Sequence, residues 1–120
     1  MILVVGGPSR RGHGWVAWLV ADLGERVLWV ETAERAVLFQ RAESDPPALL
    51  VAAEADLLTL RGDPILAGVP AVLVGATVAR ARTLHCLGAL TADAERAQQV
   101  AGVERVLARL RRAPAVAACR

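Results

Sequence analysis

Apolar runs of four or five residues punctuate the chain at Ile2–Val5, Val27–Val30, Leu49–Ala53 and Ala71–Val74, with a weaker fifth at Ala89–Thr91. Each is short, lacks polar alternation and is flanked by Gly, Pro or charge. Such runs read as strands covered on both faces, the habit of a parallel sheet. A parallel sheet needs crossovers, and the intervening segments repeat with helical period.

Between the first two runs, Trp15, Trp18, Leu19 and Leu23 recur at helical spacing, and Gly24 suits the residue just past a helix end. Thr32 can cap a second helix, carried by Ala36, Val37, Phe39 and Gln40 to Glu43 and ended by Ser44-Asp45-Pro46-Pro47. Glu54–Arg61 leaves room for a short third helix at most. Thr77 starts a fourth that stops before Gly88. In the last helix, about Ala94 to Arg112, Val100, Val103, Leu107 and Leu110 line one face and Arg105, Arg109 and Arg112 another.

The alternation predicts a single flavodoxin-like (βα)5 domain, a three-layer sandwich with a parallel five-stranded sheet in the order 2-1-3-4-5 and a shortened third helix. The domain is expected over residues 1–113, with a flexible tail over 114–120.

With 55 % apolar but only 3 % aromatic residues, Val, Leu and Ala must fill the core. All the basic residues are arginine, and the formal charge of +2 is too small to argue for nucleic acid. Cys86 and Cys119 form neither a metal spacing nor a disulfide framework, and Cys86 reads as a small buried hydrophobe. No run approaches a membrane span, and Met1-Ile2-Leu3 lacks the basic start of a signal peptide. A cytoplasmic protein is expected.

Met1–Val5, Leu23–Val27, Thr32-Ala33 with the approach Pro47–Val51, the stretch Leu60–Val74, and Leu87-Gly88-Ala89 together resemble the response-regulator receiver domain. The resemblance implies a phosphotransfer pocket at the carboxyl ends of the strands. Two acids after the first strand would hold Mg²⁺, and an Asp ending the third would accept phosphate. A Thr or Ser after the fourth would read the phosphate and a Lys after the fifth would pair with it. The matching positions here are Gly6 and Gly7, Ala53, Gly75 (with Thr77 two residues on) and Ala92 or a neighbour.

Those residues can neither grip a divalent cation nor carry phosphate, so the resemblance implies a pseudo-receiver: no enzyme, no cofactor and no metal. A one-residue register slip would bring Glu54 to the acceptor position, as a fixed charge rather than an acceptor. The resemblance further implies a protein partner, a second copy of the chain included. The contact would lie on the fourth helix, fifth strand and fifth helix through Arg80, Arg82, Leu87, Leu90, Asp93, Gln98 and Arg105.

The alternative is a degenerate P-loop-like nucleotide- or anion-binding domain. Gly7-Pro8-Ser9-Arg10-Arg11-Gly12-His13-Gly14 has phosphate-loop glycine spacing after a strand, and with Val27–Ala33 it is similar to the start of an adenosylcobinamide kinase. A working P-loop places Lys and Ser/Thr where this chain has His13 and Gly14. Backbone N–H groups with Arg10 and Arg11 could still cradle an anion.

His85 beside Cys86 is no nucleophile–base pair, because adjacent helix residues point apart. Trp15 and Trp18 could anchor a partner but sit at core spacing, and Trp29 reads as core or sheet edge. The arginines of the last helix read as a solvated face; without interleaved aromatics they make nucleic acid a weak reading.

Overall fold

The strands form where the apolar runs stand. A computed structural model describes residues 1–6, 20–43, 45–90 and 95–118. It contains β1 (Ile2–Val5), β2 (Val27–Val30), helix α1 (Ala33–Ala42), β3 (Leu49–Ala52), α2 (Glu54–Leu60), a 3₁₀ turn (Leu66–Gly68), β4 (Ala71–Val74), α3 (Val78–Thr83), β5 (Gly88–Leu90) and α4 (Arg96–Ala118). All strand pairs are parallel, in the order β2-β1-β3-β4-β5. This is the expected flavodoxin-like sandwich. Residues 20–22 are also helical, while Trp15, Trp18 and Leu19 lie outside the described residues.

Alternate strand residues feed two cores. Ile2, Val4, Leu49, Val51, Val72, Val74 and Leu90 meet Val20 and the α4 residues Val103, Val106 and Leu107. Leu3, Val5, Leu50, Ala52, Ala71 and Leu73 face the other way, onto Ala33 and Ala36 of α1, Leu57 and Leu60 of α2 and Ala81 of α3. Among the described residues neither cluster holds an aromatic ring, in keeping with the low aromatic content. Each buried Leu or Val contributes about 1.5–3 kcal/mol over its exposed state, so the two clusters carry most of the fold's stability.

The edges are less covered. Trp29 on β2 is 41 % exposed, which makes it a sheet-edge residue, and its indole N–H donates to the Gly6 carbonyl at 2.8 Å. Thr32 caps α1 by accepting from the Arg35 amide at 3.2 Å, and Thr77 caps α3 in the same way from Arg80 at 3.1 Å. The third crossover is short, as its length predicts. After α2 the Asp63 carboxylate accepts from the amides of Ile65 and Leu66, both at 3.1 Å, and turns the chain toward β4.

Two boundaries differ from expectation. The last strand starts at Gly88 rather than Ala89, because Val72 pairs with Gly88, and Thr91 lies outside the described residues. Helix α4 runs to Ala118, past the tail expected from Pro114. Alanine is the best helix former and dominates residues 113–118, while a proline near a helix end removes a single ladder bond.

Candidate functional site

In an open parallel sheet with helices on both faces, chemistry gathers where the strands end and the loops diverge. Here that rim is built from Gly6 after β1, Ala53 after β3 and Gly75 after β4. Gly6 is buried and gives its amide to Val30 at 3.0 Å, which continues the sheet. Gly75 has φ +78° and gives its amide to Leu90 at 2.9 Å. That left-handed backbone suits glycine and turns the chain out of β4. Ala53 has φ −70° and ψ 163° and is the capping residue of α2, with no side-chain hydrogen bond to offer.

The register pairs Val4 with Val51 and ends β3 at Ala52, so Ala53 directly follows the strand and Glu54 opens α2. Glu54 does not stand free. Its Oε1 accepts from Arg80 Nε at 2.5 Å and its Oε2 from Arg80 Nη2 at 2.9 Å. This two-pronged pairing is the strong geometry for an arginine–carboxylate contact. It ties the start of α2 to the first turn of α3, and those arginine hydrogen bonds hold the Glu54 carboxyl below its ordinary range. The Thr77 hydroxyl is already engaged as a helix cap.

A divalent cation of the kind the resemblance implies wants several carboxylate oxygens. Gly6 and Ala53 provide none, and both oxygens of Glu54 are committed to Arg80. Among the described residues no group of three His, Cys, Asp or Glu side chains is placed to hold a metal ion. The rim as described does not fit magnesium. Gly7 and Ala92 lie outside the described residues, as do Arg10, Arg11, Gly12 and His13 of the glycine-rich loop.

The expected contact face is only partly a surface. Arg80, Arg82, Gln98 and Arg105 are exposed, while Leu87 is half-buried against the α4-side core. Leu90 is 7 % exposed and belongs to that core, so it is not available to a partner. The cause is register: Leu90 pairs with Val74 and points beneath α4. Asp93 lies outside the described residues.

Sequence reasoning put Arg109 on a solvated helix face and missed its contact beside β5. Its Nη1 donates to the Leu87 carbonyl at 2.5 Å and fixes the guanidinium beside β5. It also missed Arg61, which reaches from the end of α2 to donate to the Leu84 carbonyl and lies 3.8 Å from Cys86 Sγ. Burial pushes the Cys86 thiol up, against the opposing pull of the Arg61 charge and hydrogen bond. Among the described residues no helix is long and apolar enough to cross a membrane.

No family model matches the chain, and no curated protein does. Among solved structures it is similar to the bacteriophytochrome response regulator RtBRR, at 19 % identity and a TM-score of 0.61, over 88 % of this chain and 76 % of that one. It is also similar to the signal receiver domain of a signal transduction histidine kinase from Syntrophus aciditrophicus, at 19 % identity and a TM-score of 0.58, over 89 % of each chain. The fold is that of receiver domains.

Proposed function

We propose that this chain is a pseudo-receiver: a signalling module of the two-component type that works by binding a protein partner and takes no phosphoryl group. The observation that carries the reading is the pair formed by Ala53 and Glu54. A methyl stands where a phosphoacceptor would be needed, and the adjacent carboxylate is held by Arg80 at 2.5 and 2.9 Å. Both structural neighbours named above are signalling domains, and their fold supports the same class.

In this reading the Glu54–Arg80 contact does permanently what a transient phosphate would do. It bridges the ends of β3 and β4 and keeps the Thr77-capped start of α3 in one place. The partner surface is the exposed part of α3, β5 and α4, chosen by fold-level analogy.

The test is incubation with acetyl phosphate or beryllium fluoride and Mg²⁺, followed by intact mass and a melting scan with and without ATP or GTP. The expected result is no phosphoryl adduct and an unchanged melting temperature. An adduct, or a magnesium-dependent rise with beryllium fluoride, overturns the reading. A rise with nucleotide alone moves the assignment to the loop Gly7–Gly14.

A further inference from the structure

The exposed edge of β5 carries a trough of about 210 Å³. Gly88 and Ala89 of β5 and Gly102 of α4 form its floor. A Cβ on Gly102 would come within 3.1 Å of Leu90 Cδ2, so its bare backbone lets α4 approach the strand. Gly88 differs: a Cβ there would meet Val106 Cγ2 at an ordinary 3.5 Å. Packing does not demand the space above Gly88. One wall is Val78 of α3, 57 % exposed, and the other carries Arg105 and Arg109.

The charged residues lining the trough are Arg105 and Arg109. At roughly 100° per residue, Gln98, Arg105, Arg109 and Arg112 share an arc of about 60° on α4, and Glu104 lies about 100° from Arg105. Arg80 pairs with Glu54, and Arg111 with Glu25 at 2.9 Å. Among the described residues Arg82, Arg105, Arg109 and Arg112 meet no carboxylate. Arg109 is held in place by the Leu87 carbonyl, which reduces the ordering needed to receive an anion.

We propose that this trough binds an extended acidic segment of a partner protein, with carboxylates on Arg105 and Arg109 and a small apolar side chain against Val78. The proposal rests on the reading of the chain as an interaction module and names the chemistry of what it binds. A second copy fits poorly, because the same trough on that copy is lined by no carboxylate to meet Arg105 and Arg109. The same arginines could follow a phosphate backbone, but no aromatic side chain lines the trough to stack a base.

The experiment is a titration of ¹⁵N-labelled protein with a synthetic peptide alternating glutamate and alanine, beside its lysine counterpart and a single-stranded oligonucleotide. Only the acidic peptide is expected to move the amides of Gly88, Ala89 and Gly102 and the side-chain N–H of Arg105 and Arg109. Affinity is expected to fall about three- to fivefold for Arg105→Gln and again for Arg109→Gln. Gly88→Ala, which the fold accommodates, is expected to weaken binding at an unchanged melting temperature, and Arg35→Gln to bind as the parent does. Peptide affinity indifferent to both Arg105→Gln and Arg109→Gln overturns the proposal. So does preferential binding of the oligonucleotide, or a dimer in sedimentation that Arg105→Gln dissolves. Phosphodonor labelling with peptide binding intact would remove the pseudo-receiver reading and leave this one standing.

Discussion

Gly24 and His85 hold the same position in two copies of one helix-ending motif. After residues 20–22 the amide of Gly24 reaches the Ala21 carbonyl at 3.0 Å and that of Glu25 the Val20 carbonyl at 3.2 Å. After α3 the amide of His85 reaches Arg82 at 3.0 Å and that of Cys86 reaches Ala81 at 2.8 Å. Both central residues are left-handed, with φ +86° at Gly24 and +58° at His85. This is the Schellman arrangement, which glycine fills without steric cost and other residues fill at a cost of about 1–2 kcal/mol. His85→Gly is therefore expected to raise stability by up to about 1 kcal/mol, and Gly24→Ala to lower it by about the same amount. Urea unfolding of the two variants checks both signs.

The Glu54 carboxyl is expected to titrate below an ordinary glutamate in the folded protein, because Arg80 hydrogen-bonds its charged form. A depressed carboxylate contributes stability above its unfolded-state value and loses that contribution as pH falls through the folded one. Arg80→Gln is expected to return the titration to the ordinary position. Carbon-detected NMR of the side-chain carboxyl across the acid range checks it, and an unmoved Glu54 in Arg80→Gln would show that the pair is not formed in solution.

Leu50 is fully buried in the centre of the sheet, whereas Leu38 on α1 is 62 % exposed. Leu50→Ala is expected to cost about 2–5 kcal/mol and Leu38→Ala about 0.5 kcal/mol or less. Chemical denaturation of the pair measures the difference.

Thr77 acts in this fold as a helix cap. Thr77→Ala is expected to cost about 1 kcal/mol, and Thr77→Ser to retain most of the parent's stability. A loss common to both variants in thermal melting would indicate that the methyl, not the hydroxyl, matters.

The strands were legible because a sheet covered on both faces leaves uninterrupted apolar runs, as at Ile2–Val5 and Leu49–Ala52. Gly24 was legible because glycine at a helix end has one common use. His85 was not, since nothing in its neighbours marks a left-handed histidine. Leu90 was placed on the contact surface by the resemblance alone, which does not show which face each residue of β5 takes; the pairing with Val74 does. The Glu54–Arg80 contact joins residues 26 apart in sequence and belongs to no local pattern. It exists because β3 and β4 are neighbours in the sheet.

The strand order also dictates a sequence of events during synthesis. β1 lies between β2 and β3, so it has both its neighbours only once β3 has been translated. Until then Ile2, Leu3, Val4 and Val5 form a sticky segment with at least one open backbone edge. Premature association between nascent chains would begin there.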